Sequence, residues 1–314
     1  MKTIAITGGT GFVGSALARA LLKKGYAVRI LSRRSPKAPL PGASYAEVDF
    51  SDVETLKRAL AGADAAVHLA AALFCRAKED FIKSNAVGTA NLAAAAGTVP
   101  ELKKLVYISS LAAGGPSGGS NPRTEKEPEA PVSYYGMSKL EGEKAVRAFS
   151  GRSVILRPPI IYGKKDFGFS KIAEWVRKGF MVNAGSANGR FSFLYLDDLV
   201  RVITETLETD KFDGGTFYVA EHRTYVWREF ITMLSAGMGV KMPLLISLPP
   251  AAVYAAGWIY EMVSLLAGAE PALNRDKARE ASAPNWTSSP ELWEKTAGWN
   301  DWTSLAEGIK KTFS

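Results

Sequence analysis

A tyrosine and a lysine stand one helical turn apart in the stretch YYGMSK, residues 134–139. A free phenol has a pKa of about 10, too high for a base at neutral pH, and a nearby ammonium group lowers that pKa by favouring the phenolate. Because residues four apart on a helix share a face, Lys139 could act on Tyr135 in this way. Such pairs are also common on exposed helices, so the spacing alone leaves a catalytic and a surface interpretation open.

A glycine-rich turn near the start of the chain has the pattern of a phosphate-binding loop. The stretch TGGTGFVG, residues 7–14, follows a short apolar run and precedes a segment with helical spacing of apolar residues, which is the context that dinucleotide-binding turns require. Glycines let backbone N–H groups approach a pyrophosphate, and the helix N-terminus adds partial positive charge. The predicted cradle consists of Gly8, Gly9, Thr10, Gly11, Phe12, Val13 and Gly14.

The end of the second predicted strand indicates which dinucleotide is bound. It reads Ser32-Arg33-Arg34 and lacks the carboxylate that usually holds the ribose 2′-hydroxyl of NAD. Guanidinium groups can instead grip a 2′-phosphate with paired hydrogen bonds. The sequence therefore favours NADP(H), with Arg33 as the leading contact and Arg34 as the second, and NAD(H) is the alternative if both arginines face water.

The charge and composition narrow the choice of partners. The chain has 314 residues, 47% of them hydrophobic and 22% charged, and a net charge of +8, which favours anionic partners. Its basic residues occur as separated pairs without an aromatic platform, so a nucleic-acid surface is not predicted. A small-molecule substrate is the expected partner.

A single cysteine, Cys75, excludes an internal disulfide and suits the reducing cytoplasm. Only two histidines occur, His68 and His222, so no metal site is predicted. No signal peptide is visible at the N-terminus, and we expect a cytoplasmic protein.

Strands and helices alternate through the first half of the chain. This alternation predicts a parallel sheet covered on both faces, an α/β fold of the Rossmann-type doubly wound class. The predicted strands are residues 3–7, 27–32, 44–49, 65–71, 104–110 and 153–158, with a helix from about residue 135 to 149. We predict an NAD(P)-binding domain over 1–160 and a smaller α/β substrate lobe over 161–314, some segments of which return to the sheet.

An ordered set of short motifs resembles the extended short-chain dehydrogenase/reductases, the epimerase/dehydratase superfamily. In chain order they are TGGTGFVG (7–14), VDFSD (48–52), HLAA (68–71), SNAVGT (84–89), YISS (107–110), YYGMSK (134–139) and LRPPIIYG (156–163). The set is specific as a whole and spans nearly the entire chain. The chain looks nearest to the 3β-hydroxysteroid dehydrogenase and dihydroflavonol reductase branch.

The resemblance assigns catalytic roles. It places the catalytic tyrosine on Tyr135, the lysine that also holds the nicotinamide ribose on Lys139, and the active-site asparagine on Asn85. The serine falls on Ser110, with Ser109 as the alternative. Hydride transfer to or from a carbon that bears oxygen requires that oxygen to gain or lose a proton in the same step, which a positioned phenol can provide.

The resemblance also implies a longer cofactor surface. Asp49 and Phe50 match the pair that flanks the adenine. Residues 68–71 line the dinucleotide with backbone. Further cofactor contacts by resemblance are Leu69, Ala70, Ala71, Pro158, Ile160 and Ile161.

The substrate is less sharply indicated than the cofactor. Residues 111–113, Leu-Ala-Ala, lack the acidic side chains that sugar dehydratases of the family carry after the serine, so dehydration is disfavoured. Arg190 matches a position where sugar-nucleotide enzymes often bind phosphate. The apolar stretch 244–269 favours an apolar ketone or alcohol, with a nucleotide-sugar epimerase as the alternative and a redox-inert NADP sensor as a third hypothesis.

Two surface expectations follow from the same resemblance. The stretch 244–269 is interrupted by Pro249, Pro250 and Glu261, and it is either a core helix or a peripheral contact with a membrane surface. The helices near 78–97 and 134–150 often form the family's dimer, so a homodimer is expected.

Overall fold

The first half of the chain forms parallel strands connected by helices. The computed structural model describes residues 1–75, 77–119, 121–184, 188–266 and 275–313. The strands are β1 (Thr3–Thr7), β2 (Ala27–Ser32), β3 (Ala43–Glu47), β4 (Ala65–His68), β5 (Lys104–Ile108) and β6 (Arg152–Arg157). The helices are α1 (Phe12–Lys23), α2 (Val53–Leu60), α3 (Lys78–Phe81), α4 (Gly88–Gly97), α5 (Leu111–Gly114) and α6 (Tyr134–Arg147), and a π-helical segment, Ile82–Val87, joins α3 to α4.

The second half has shorter strands and more helix. Its strands are β7 (Ile160–Tyr162), β8 (Phe180–Ala184), β9 (Arg190–Phe191), β10 (Phe193–Tyr195), β11 (Thr216–Tyr218), β12 (Tyr225–Val226), β13 (Leu244–Leu248) and β14 (Asn285–Trp286). Its helices are α7 (Phe167–Arg177), α8 (Leu196–Glu208), α9 (Trp227–Gly237), α10 (Pro250–Leu266), α11 (Arg275–Ser282), α12 (Glu291–Ala297) and α13 (Leu305–Phe313).

Seven strands form the central sheet in the order β11-β6-β5-β4-β1-β2-β3, and every neighbouring pair is parallel. This confirms the predicted Rossmann-type α/β fold. The strand order reverses between β1 and β4, and ligands of open α/β sheets bind in the crevice outside the carboxyl ends of the strands at such a point. The glycine turn follows β1, residues 68–71 follow β4, and Ser110 follows β5, so the sheet brings the predicted site residues to one edge.

The sheet is stabilised by apolar side chains on both faces. On one face Leu17 and Leu21 of α1 pack with Leu199 and Ile203 of α8, all fully buried. On the other face α2 and α4 contribute a second buried cluster. Burying each such leucine contributes about 1.5–3 kcal/mol. Because α8 and β11 come from beyond residue 160 and still pack in or on the sheet, the exact domain division at residue 160 stays a prediction.

Two strands differ from the sequence prediction at points that matter for the site. Strand β4 ends at His68 rather than at residue 71. Strand β5 ends at Ile108 rather than at residue 110, because Ser110 becomes the N-cap of α5 and its Oγ accepts a hydrogen bond from Ala112 N. In the second half, β9 and β10 are separate strands with different partners, β12 and β14 for the first and β7 for the second.

Candidate active site

The glycine turn forms a cradle in which side chains have no room. Gly8 has φ +69°, and a Cβ on it would lie 2.8 Å from Ala70 N. A Cβ on Gly14 would overlap the carbonyl oxygen of Gly8. Helix α1 begins at N-cap Gly11 without a side-chain cap, so its first N–H groups remain available to an anion. The cradle therefore fits the pyrophosphate of a dinucleotide, and Thr10, Phe12 and Val13 lie within it.

A buried histidine holds the loop after β4 against this turn. His68 Nδ1 lies 2.6 Å from Thr7 Oγ1, which in turn accepts hydrogen bonds from Leu69 N and Ala70 N at 3.2 and 3.1 Å. Burial lowers the pKa of His68 to about 3, and the charge of Lys139 acts in the same direction. A neutral His68 thus fixes the position of the backbone that the resemblance assigns to the cofactor, up to Ala71.

The end of β2 presents cations to solvent. Arg33 and Arg34 are exposed, and within the described ranges neither guanidinium forms an ion pair. The Ser32 hydroxyl donates to Arg34 O at 2.9 Å and thereby fixes the bend after the strand. Asp49 is exposed beyond β3, and hydrogen bonds from Ser51 hold its pKa below the usual range.

Phe50 lies beside the buried histidine. Its ring stacks against His68 with centroids 6.2 Å apart, and its carbonyl oxygen accepts a hydrogen bond from Asn91 Nδ2 at 2.8 Å. The predicted adenine-flanking pair is thus at the carboxyl end of the sheet. The Phe50 ring is half-buried there, and Asp49 is exposed to solvent.

The structure brings Ser110, and not Ser109, to the predicted catalytic tyrosine. The Ser110 hydroxyl is close enough to the Tyr135 phenol to lower its pKa. Ser109 Oγ points the other way and donates to Glu143 Oε1 at 2.5 Å. Glu143 also forms a buried ion pair with Arg157 at 2.7 Å, a feature below the site that sequence reasoning missed.

Tyr135 and Lys139 share the buried face of α6 but have separate surroundings. Lys139 Nζ donates to Ile108 O at 2.7 Å and lies 4.2 Å from the centroid of the Tyr107 ring. Burial lowers the pKa of Lys139 to about 7, against the opposing effect of Glu143.

The predicted lowering of the tyrosine pKa is not observed. The pKa of Tyr135 is raised, first by burial and then by the charge of Glu280, while the nearby Ser110 hydroxyl lowers it. The physical reason is that the phenol lies in an apolar cluster, with its ring against Phe81 at 6.3 Å. In this structure the phenol is therefore held in its protonated form.

Asn85 acts as a connector between elements. Its Oδ1 accepts from Ala72 N at 2.7 Å, and its Nδ2 donates to Ala72 O and to Ser138 Oγ, each at 3.0 Å. It lies in the π-helical segment, and such segments are frequent at functional sites. These bonds join the loop after β4 to α6, the helix that carries Tyr135.

A cavity of about 440 Å³ begins at Ser110 and extends into the second half of the chain. Its walls are mostly apolar. The lining residues are Ser110, Leu111, Ala112, Pro159, Ile160, Val182, Asn183, Phe191, Trp227, Lys277, Glu280, Ala281 and Trp286. Sequence reasoning missed every lining residue beyond position 161, because short strands and a short helix supply them and no spacing marks them as a set.

Of the remaining predicted residues, some line this cavity and others do not. Ile160 lines it, Pro158 accepts a hydrogen bond from Leu111 N at 2.9 Å, and Ile161 packs onto the core beside α1. Arg190 is not among the lining residues. Its Nη2 donates to Thr224 Oγ1 at 3.3 Å, whereas its neighbour on β9, Phe191, faces the cavity, as expected because successive side chains of a strand point to opposite faces.

Comparison with known proteins identifies the family. The family model described as the NAD dependent epimerase/dehydratase family matches residues 4–220. The chain belongs to this family. It is an NAD(P)-dependent oxidoreductase of the epimerase/dehydratase superfamily, as the sequence resemblance predicted.

Individual members of the family show how far the similarity extends. The chain is 31% identical to a ceramide reductase of Caulobacter vibrioides over 99% of this chain and 90% of that protein. It is 27% identical to a 2-alkyl-3-oxoalkanoate reductase of Stenotrophomonas maltophilia over 98% and 97% of the two chains. The crystal structure of a UDP-glucose 4-epimerase of Thermus thermophilus in complex with NAD superimposes with a TM-score of 0.79 at 22% identity, over 99% and 97% of the two chains, which shows the shared fold.

Two negative findings apply to the described residues. None of their helices is long and apolar enough to cross a membrane. Among the same residues, no three His, Cys, Asp or Glu side chains are placed together to hold a metal ion.

Proposed function

We propose that the protein interconverts a ketone and a secondary alcohol on a substrate with a largely apolar body, using NADP(H). The observation that carries this proposal is the cavity, which is lined by Ser110 and by apolar side chains over most of its wall. Tyr135 is not among the lining residues, but its ring centroid lies 4.8 Å from the Nζ of one of them, Lys277. A cavity of this kind excludes water and accepts an apolar body, while one polar end orients the reacting oxygen.

The chain's own residues account for the proton and the orientation. The bound cofactor supplies or accepts the hydride. Ser110 orients the substrate oxygen by a hydrogen bond, and Tyr135 donates a proton to that oxygen in reduction or takes it in oxidation. Because the pKa of Tyr135 is raised, the phenol is protonated at neutral pH and has a proton to give in reduction.

The test of this proposal is a pair of adjacent tyrosine variants. Tyr135→Phe removes the acid/base hydroxyl and is expected to lower kcat by about 10²–10⁴-fold with little change in NADPH affinity. Tyr134→Phe, one position earlier on α6, is the matched control and should retain turnover. The assay follows NADPH absorbance with medium-chain and aryl ketones, and full activity of Tyr135→Phe would refute the assignment.

The same assay separates the alternatives. An epimerase would convert UDP-sugars and retain NAD tightly through purification, whereas a reductase exchanges its cofactor in each cycle. The observation that disfavours the epimerase is the position of Arg190, which bonds to Thr224 and does not line the cavity. A redox-inert sensor would bind NADPH and turn over no substrate in either group.

The structure leaves both arginines after β2 facing water, so the proposed preference for NADP(H) rests on the residue types there, two guanidinium groups and no carboxylate. Arg33→Ser is expected to raise the KM for NADPH by about 10-fold while the KM for NADH changes little, because a lost charge-assisted hydrogen bond costs about 1.5–3 kcal/mol. Arg19→Ser, an exposed arginine on α1, serves as the control. Equal effects on both cofactors would contradict the 2′-phosphate assignment.

We further propose a cytoplasmic homodimer formed through residues 78–97 and 134–150. An exposed row of small apolar side chains runs from the end of the π-helical segment along one face of α4. It consists of Val87, Ala90 and Ala94, and it permits close approach of a second copy. Val87→Glu is expected to produce monomers in sedimentation analysis.

We also propose peripheral contact with an anionic membrane surface through the described part of the predicted stretch, 244–266. Residues 267–269 of that stretch lie outside the described residues.

A further inference from the structure

We propose that Lys277 and Glu280 determine substrate specificity by binding a hydroxyl or amide group close to the reacting carbonyl. This inference rests on the proposed ketone reductase function. Both residues are on α11 and line the cavity, and Lys277 Nζ lies 3.1 Å from Glu280 Oε2 with each side chain 22% exposed. Together they form an ion pair on a wall that is otherwise mostly apolar.

The pair lies next to the reacting centre. Lys277 Nζ is 4.8 Å from the centroid of the Tyr135 ring, and the Glu280 carboxylate is close enough to raise the pKa of that phenol. Helix α11 is fixed in this position because the buried Asp276 accepts a hydrogen bond from Tyr134 N, at the start of α6, at 2.6 Å. A substrate oxygen held by Ser110 therefore brings its neighbouring carbon atoms within reach of the pair.

The chemistry of the pair selects the group it can bind. An ammonium beside a carboxylate offers a donor and an acceptor together, which matches a hydroxyl or an amide. A charged group on the substrate would be attracted by one member of the pair and repelled by the other, so the pair gives it no net advantage. A hydrocarbon chain laid over the pair would remove its water without replacing the hydrogen bonds, and such desolvation is unfavourable.

The experiment compares two ketones of equal chain length, a medium-chain methyl ketone and the corresponding hydroxymethyl ketone. The wild type is expected to prefer the hydroxymethyl ketone in kcat/KM by about 10-fold or more, the value of one charge-assisted hydrogen bond. Lys277→Met and Glu280→Gln should each abolish most of this preference through the KM of the hydroxymethyl ketone. The KM of the methyl ketone should not rise in either variant, because this substrate makes no hydrogen bond to the pair and no longer has to remove its water.

The matched control is an exposed ion pair of the same type at the C-terminal end of α7. Lys178 and Glu174 lie 2.8 Å apart, and Lys178→Met or Glu174→Gln should leave the preference unchanged. A wild type that reduces both ketones equally, or cavity variants that keep the preference, would overturn the inference.

If the proposed ketone reductase function is wrong, a binding measurement still tests the roles of Lys277 and Glu280. If neither ketone is reduced, calorimetric titration of both ketones into NADP-loaded wild type and variants measures the same preference as a ratio of Kd values. A preference of about 10-fold in binding that the cavity variants lose supports the roles of Lys277 and Glu280, and its absence overturns them.

Discussion

Two adjacent serines at the end of β5 have the same side chain and opposite environments. Ser110 faces the cavity and Tyr135, while Ser109 is buried against Glu143 below the sheet edge. The resemblance to the family favoured Ser110, but only the turn of the backbone at the N-cap of α5 separates the two chemically. Each serine therefore has its own expected effect on activity and stability.

Ser110→Ala is expected to lower kcat/KM for a ketone by about 10²-fold, since it removes a donor to the substrate oxygen. It also removes the N-cap of α5 and should lower the free energy of unfolding by about 1 kcal/mol. Ser109→Ala is its control and should keep its activity. It removes a hydrogen bond to a buried carboxylate and should lower the free energy of unfolding by about 1.5–3 kcal/mol in urea titrations. Equal loss of activity in both variants would contradict the assignment.

A buried histidine makes the stability of the fold sensitive to acid. The pKa of His68 is lowered to about 3 in the folded protein, against about 6.5 in an unfolded chain. Between these values the unfolded state binds a proton that the native state does not, so stability increases with pH across this range and is lost as pH falls below 6.5.

His68→Asn is therefore expected to be less stable than wild type at pH 7, because it loses its bond to Thr89 Oγ1, and to lose less stability on acidification. The difference in slope should approach about 1.4 kcal/mol per pH unit near pH 5. Urea unfolding at intervals between pH 7 and about pH 5 measures it, above the range in which most carboxylates titrate. Parallel curves for the two proteins would show that His68 does not titrate in this way.

Among the elements, the glycine turn was the most predictable from sequence. Its glycines are needed for local reasons: a positive φ at Gly8 and the close approach of Gly14 to the Gly8 carbonyl. Both requirements belong to the eight residues 7–14, which run from the end of β1 into the first turn of α1, so the local sequence pattern specifies them directly.

Gly14→Ala is expected to weaken NADPH binding by at least about 10-fold and to lower the thermal midpoint, because its Cβ would overlap backbone that cannot move without opening the turn. Gly118→Ala is the matched control, since no atom lies within 4 Å of its added Cβ and its φ is not positive. Fluorescence titration with NADPH measures the binding. Unchanged affinity in Gly14→Ala would show that the turn has more room than the structure indicates.

At the scale of the whole molecule, α10 presents an apolar surface with almost no charge. Trp258, Ile259 and Val263 are 50%, 56% and 59% exposed. The one charged residue in the helix, Glu261, is buried and pairs with Arg275 of α11 at 3.1 Å. A helix with exposed Trp, Ile and Val and no exposed charge, on a chain of net charge +8, suits the interface of an anionic bilayer.

Replacing Trp258, Ile259 and Val263 together by serine is expected to reduce binding to anionic phospholipid vesicles by at least about 10-fold, because it removes the apolar contact. Leu292→Ser, which changes a leucine on α12 that is 41% exposed, should have no effect. Vesicle co-sedimentation measures the bound fraction. A wild type that stays in the supernatant at low salt would rule out this membrane contact.

The sequence by itself determined the Rossmann-type sheet, the glycine cradle and the spacing of Tyr135 and Lys139. These features depend on local periodicity and on backbone freedom within short segments. Residues that are close together in the sequence specify both. The elements that β-branched and apolar runs predicted in the first half were present for the same reason, with small shifts at their ends.

Only the tertiary structure decided the direction of the Tyr135 pKa, the position of Arg190 away from the cavity and the ion pair of Lys277 with Glu280. Each of these depends on contacts between elements far apart in the chain, such as α11 against the start of α6. Burial and charge at a given side chain are set by whatever packs over it, and no spacing along the chain encodes that neighbour.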